Sequence, residues 1–112
     1  MSELPLEISC HDVKARIAAA DSDLLLLDCR EPEEHAIVAI RDAHLLPMSE
    51  IQQRINEFAG NQQSHIVVLC HLGGRSLQVT AWLRQQGFPN VQSMAGGIDQ
   101  WAVEIEPGMA RY

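Results

Sequence analysis

Two apolar runs constrain the fold of this 112-residue chain more than any other feature. Leu24-Leu25-Leu26-Leu27 and Ile66-Val67-Val68-Leu69 show no alternation of polar and apolar residues. A strand with one wet face alternates, so an unbroken apolar run predicts a strand covered on both faces, as in a parallel sheet. The punctuation around these runs implies strands alternating with helices. Residues 6–8 read as a short strand. Ser9 then stands as an N-cap, with Asp12 three residues on, before a helix over 10–20 that carries Val13, Ile17 and Ala20 at helical spacing. Residues 30–35 turn into a short helix with Pro32 near its start. A loop over 36–47 holds a short strand at 43–46. Ser49 is placed to cap a helix carrying Ile51, Ile55 and Phe58, ended by Gly60. Residues 75–86 form a helix with Leu77, Ala81, Trp82 and Leu83 toward the core, ended by Gly87. A last strand at 91–94, a Gly96-Gly97 turn and a helix over 98–103 containing Trp101 complete the pattern. Residues 104–112 read as a partly ordered tail. Strand–helix alternation of this kind predicts an α/β domain with a parallel sheet and helices on both faces.

Charge and cysteine usage narrow the function. The formal net charge is −7, and the eight basic residues are scattered. Phosphate-backbone binding needs clustered Lys and Arg, so no nucleic-acid partner is expected. No stretch approaches the ~20 apolar residues of a membrane span. The stretch Met1-Ser2-Glu3-Leu4-Pro5 has no basic segment followed by an apolar core, so no secretory leader is read there and a cytoplasmic location is the default. The three cysteines, Cys10, Cys29 and Cys70, include no Cys-x-x-Cys pair. Neither a zinc site nor a disulfide framework is suggested. His35, His44 and His65 lack ligand spacing, so no metal is assigned.

The chemistry concentrates where the second apolar run ends. Cys70 closes a buried strand, His71-Leu72-Gly73-Gly74 forms a short loop, and Arg75-Ser76 opens a helix. Ligands of open α/β sheets bind beyond the carboxyl ends of the strands. Glycines let successive backbone N–H groups turn toward one anion, the helix start adds free donors, and Arg75 adds a full charge. Together these favour a thiolate at Cys70 over a thiol. The competing reading is a buried, inert core cysteine beside a tight turn. The Gly-Gly-Arg-Ser context has no core role and favours the functional reading. Ser76 suits either a hydrogen bond to the Cys70 sulfur or a helix cap. His71 is read as a solvent-facing loop residue, with donor binding or proton shuttling as the alternative. Cys29, Trp82 and Trp101 are expected in the core. Cys10 lies in a first helical turn, with a sulfur-relay role as its minor reading.

Cys70-His71-Leu72-Gly73-Gly74-Arg75-Ser76 resembles the Cys-x-x-Gly-x-Arg-Ser active-site loop of the rhodanese (thiosulfate sulfurtransferase) family in its single-domain form. Leu27-Asp28-Cys29-Arg30-Glu31-Pro32-Glu33-Glu34-His35 is similar to that family's Leu-Asp-Val-Arg-Glu-Pro-x-Glu-Tyr segment. Gly87-Phe88-Pro89-Asn90-Val91, followed by Met94-Ala95-Gly96-Gly97-Ile98-Asp99-Gln100-Trp101, resembles its C-terminal signature. The resemblance spans about residues 4–112. Over residues 38–47 the family's Gly-His and Pro-Gly pairs are missing, so that loop is expected to follow its own path.

The resemblance implies one three-layer domain over 1–112, with a core over about 4–103, a tail over 104–112 and a central, mostly parallel five-stranded sheet. It implies a sulfurtransferase without a cofactor. Cys70 would take sulfane sulfur from a small anionic donor such as thiosulfate and pass it, as a persulfide, to cyanide, a thiol or a protein acceptor. His71, Leu72, Gly73, Gly74, Arg75 and Ser76 would surround the donor. Asp28 and Arg30 would fix neighbouring loops. Four residues separate Cys70 from Arg75; the related phosphatases keep five, which widens the loop for a tetrahedral phosphate. A phosphatase or arsenate reductase is therefore the weaker alternative, and a sulfur-carrier interaction module the closer one.

Overall fold

The computed structural model describes residues 4–20 and 23–112; Met1 to Glu3, read above for a leader, lie outside the described residues. Five strands form one sheet among the described residues: β1 (Glu7–Ile8), β2 (Leu24–Asp28), β3 (His44–Leu45), β4 (His65–Leu69) and β5 (Val91–Met94). Their order is β1-β5-β4-β2-β3 and every pairing is parallel. The two apolar runs are the centre of this sheet, with β2 beside β4 in register from Leu24–His65 to Asp28–Leu69. The Cys29 N–H continues the ladder to the Leu69 carbonyl at 3.0 Å.

Both faces of the central strands are covered, which is why they do not alternate. Leu27, Ile66 and Val68 pack with Phe58, Val79 and Leu83, and Leu25 lies against the same cluster. Leu26, Val67 and Leu69 pack on the opposite face with Val13, Ile98 and Trp101. Helices α3 (Ile51–Arg54) and α4 (Gly74–Gln85) therefore lie on one side, and α1 (Cys10–Ala18) and α5 (Gly97–Glu104) on the other. Each fully buried aliphatic side chain in these layers contributes about 1.5–3 kcal/mol. Helix α2 (Pro32–Ile37) buries no residue and stands at the carboxyl end of β2. No helix among the described residues is long and apolar enough to cross a membrane.

Local details depart from expectation where a tertiary partner intervenes. Helix α1 stops at Ala18, leaving Ile17 exposed, and Ala20 takes a left-handed φ of 54° on the way to β2. Only Cys10 and Val13 of that helix are buried. Ser49 does not cap a helix; its hydroxyl donates to Glu31 Oε1 at 2.7 Å, and Glu50 precedes α3 instead. Helix α3 lasts one turn and runs into a 3₁₀ segment, Ile55–Asn61, that passes through Gly60. Phe58 has non-helical backbone there, because its ring is drawn into the core. On α4 the buried stripe is Ser76, Val79, Thr80 and Leu83, while Leu77 and Ala81 face outward. The helix is rotated so that Ser76 points inward beneath the loop that precedes it.

Candidate active site

Cys70 follows the last residue of β4 and is only 1% exposed. The Gly73 N–H points at its sulfur at 3.0 Å, and the Ser76 hydroxyl oxygen lies 3.4 Å away. That hydroxyl also contacts the Gly73 carbonyl at 3.2 Å and the Ser93 hydroxyl at 2.7 Å. The loop reverses so tightly because Gly73 has φ +109°, a region closed to most L-residues. Helix α4 then starts at Gly74, so its leading N–H groups have no helical acceptor and open toward the loop.

The loop backbone is clamped from α5. Ile98 N–H donates to the Cys70 carbonyl at 2.8 Å and Asp99 N–H to the His71 carbonyl at 3.1 Å. This contact requires a residue without a side chain at 97: a Cβ there would lie 2.5 Å from the His71 carbonyl oxygen and 2.6 Å from that of Cys70. The Gly96-Gly97 pair thus joins two distant segments and is more than the turn its sequence suggests.

Arg75 does not stand free at the mouth. Its guanidinium forms a two-pronged pair with Glu34 at 2.6 and 2.8 Å. Hydrogen bonding to Arg75 is the main reason the Glu34 carboxyl is pulled down to about 2, and the same bonds hold Arg75 above the usual arginine range. The Tyr112 hydroxyl donates to Glu34 at 2.8 Å and accepts from Arg30 at 3.0 Å. Arg30 is fully buried and paired with fully buried Asp28 at 2.7 Å, with a further donation to the Val38 carbonyl. Burial works against its charge, and the bonds to Asp28 and Tyr112 more than offset that penalty. Asp28 and Arg30 thereby tie β2, α2 and the tail together. His35 also reaches Asp28, at 3.1 Å.

The remaining expected residues differ in placement. His71 is not a solvent-facing side chain: its ring is stacked on Tyr112 at 4.0 Å and 9°, and its Nε2 is buried without a partner. Leu72 is 64% exposed at the loop tip, and Gly74 is also exposed. Cys29 is core, and burial, with Cys70 and Asp28 adding to it, pushes its thiol far above the ordinary range. Cys10 is buried beside the Ala95 carbonyl and pushed up to about 11, chiefly by burial and secondarily by Glu104. The tail folds back on the domain: Arg111 pairs with Asp99 at 2.9 Å, and Tyr112 reaches the rim described above. Sequence reasoning missed Glu34, Ser93, Gly97 and Tyr112 as site residues. Glu34 and Gly97 carried a signal, through their places in the Leu27–His35 and Met94–Trp101 segments. Nothing local marks Tyr112 as the neighbour of a residue 41 positions away.

Residues 9–104 match the family model described as a rhodanese-like domain. The chain is 40% identical over 96 residues to a sulfurtransferase from Allochromatium vinosum, covering 86% of this chain and 87% of that protein. It is 32% identical over 105 residues to a putative sulfur carrier protein, YrkF, from Bacillus subtilis, covering 94% of this chain and 55% of that protein. It also matches a chloroplastic rhodanese-like/PpiC domain-containing protein of Arabidopsis thaliana at 33% identity, spanning 78% of this chain and only 30% of that protein's length. Among solved structures, a rhodanese-related protein from Thermoplasma volcanium superposes with a TM-score of 0.81 at 26% identity, covering 96% of this chain and all of that one.

Proposed function

Because the chain belongs to the rhodanese-like family, we propose that it is a sulfurtransferase that moves sulfane sulfur through a persulfide on Cys70. The observation that carries this reading is the Cys70 sulfur at a strand end, 3.0 Å from the Gly73 N–H and under the open start of α4. Such donors stabilise charge on sulfur without a general base. In the first step the Cys70 thiolate attacks the outer sulfur of the donor; for thiosulfate, that S–S bond breaks and sulfite leaves with the electron pair. In the second step a nucleophile takes the outer sulfur and returns the thiolate; with cyanide the product is thiocyanate. Covalent catalysis of this kind replaces one difficult transfer with two easier ones. Gly73 and the leading amides of α4 would hold the outer sulfur. Arg75, paired with Glu34, would brace the loop and lend a shared positive field, and Asp28 and Arg30 would keep the rim in place. No cofactor enters either step.

The test compares wild type and Cys70→Ser in cyanide-dependent thiocyanate release from thiosulfate, with intact mass as a second readout. A gain of about 32 Da, one sulfur atom, on wild type alone is the expected result. Equal thiocyanate release by both proteins would remove Cys70 from the mechanism. The carrier reading draws on the YrkF relative and on the exposed Leu72 at the loop tip. It differs in one outcome, a wild-type adduct that forms but passes to a protein thiol and not to cyanide.

A further inference from the structure

We propose, on the basis of the Cys70 reading above, that Tyr112 is the specificity-determining wall of the sulfur site. The cradle runs from Cys70 to Ser76, so its two edges are His71 and Arg75. Tyr112 touches the first directly and is linked to the second through Glu34. Its ring covers the His71 ring at 4.0 Å, nearly parallel. Its hydroxyl donates to the same Glu34 carboxylate that grips Arg75, at 2.8 Å. The side chain therefore lies between His71 on one edge of the cradle and the Glu34–Arg75 pair on the other.

Three anchors hold the segment in that position. Met109 packs against the core cluster that contains Trp101. Arg111 pairs with Asp99 in the first turn of α5, the helix whose start clamps the loop backbone. The Tyr112 oxygen accepts from Arg30, itself fixed by Asp28. All three contacts are to pieces of the site's own framework. The outermost of them, the Arg111–Asp99 pair, is solvent-exposed on its arginine side and so weak enough to exchange.

The consequence is selectivity by size. Cys70 is 1% exposed, so a reactant reaches it only past the residues around its loop, and in this proposal Tyr112 is the one that limits the passage. A small nucleophile such as cyanide or hydrosulfide needs little opening. A bulky thiol must displace the ring from His71 and the hydroxyl from Glu34. Discrimination of this kind sets relative rates between acceptors.

The experiment uses the full chain as wild type, Tyr112→Ala and Tyr112→Phe. Cys70 is alkylated with iodoacetamide and, separately, with a bulky fluorophore–maleimide, and modification at each cysteine is followed by peptide mass. The ratio of bulky to small rates at Cys70 is expected to rise about fivefold or more in Tyr112→Ala, with a smaller rise in Tyr112→Phe, which keeps the stack and loses the hydroxyl. Cys29, buried beneath, should stay unmodified in all three, separating a local opening from general loosening. An unchanged ratio in Tyr112→Ala overturns the proposal, as does a rise that comes with modification of Cys29. Alkylation needs no sulfur transfer. A raised ratio in a protein that never forms the persulfide would leave the wall standing and remove the sulfurtransferase reading.

Discussion

Cys70 and Cys29 make a natural pair. They follow the last paired residues of neighbouring strands, Leu69 and Asp28, and each is 1% exposed within the same core cluster. The Cys70 sulfur accepts from the Gly73 main-chain N–H, three residues on, at 3.0 Å and lies 3.4 Å from the Ser76 hydroxyl oxygen. Cys29 has apolar neighbours, and burial raises its thiol strongly. Burial is therefore common to the two sulfurs. What separates the two is whether the chain beyond the strand turns its amides back on the sulfur, as residues 70–76 do. After Cys29 the chain instead leads into the Asp28–Arg30 pair and α2.

The largest expected effect sharpens this contrast directly. Cys70→Ser should lower thiocyanate formation by about a thousandfold or more, as loss of a covalent nucleophile does. Cys29→Ser should change the same rate by less than about threefold. A collapse of activity in the second variant would break the comparison. Next comes the clamp. Gly97→Ala puts a Cβ where two carbonyl oxygens stand and forces a side chain into φ +62°. A stability loss on the order of 1–3 kcal/mol is expected in chemical denaturation. Transfer should also fall, by up to about a hundredfold, as the loop is pushed from its geometry.

Ser76→Ala tests the hydroxyl side of the contrast. It strips the hydroxyl near the Cys70 sulfur and leaves the buried Ser93 hydroxyl without that partner. A cost of about 1–3 kcal/mol in stability and roughly a tenfold slower transfer are expected. Unchanged kinetics would mean that the Gly73 amide and the start of α4 suffice.

The smallest effect concerns the rim, whose Arg75 charge is felt at both sulfurs. Glu34 is depressed to about 2 from an ordinary value of 4.5. A carboxylate lowered on folding adds stability above its unfolded value, and that stability is lost as pH falls through the folded one. Between about pH 4.5 and 2, Glu34→Gln should therefore lose less stability than wild type in acid unfolding curves. Because the pair is partly exposed, the difference should shrink further in high salt.

Much of this protein is legible residue by residue, and the reason is locality. The doubly covered strands announce themselves because burial on both faces removes alternation at 24–27 and 66–69. Cys70 and its glycine-rich loop are contiguous, so a sequence read in order meets the proposed nucleophile, the turn and the helix start together. The departures have the opposite character. Ser49 was drawn from helix capping by Glu31, and Ser76 and Thr80 took core positions on α4 at the expense of Leu77 and Ala81. Phe58 broke its own helix to reach the core. Each outcome depends on a partner that lies far away in the chain.

The amino-acid order alone thus determined the α/β architecture, the cysteine at the end of β4 and the glycine-rich loop around it, since all three follow from short-range pattern. Only the tertiary structure decided which groups surround that cradle. Glu34 came to hold Arg75, Gly97 came to lie against the Cys70 and His71 carbonyls, and Tyr112 came to cover His71. Those contacts join residues 26 to 41 positions apart, and only the packing of sheet, helices and tail brings such partners within reach of a hydrogen bond.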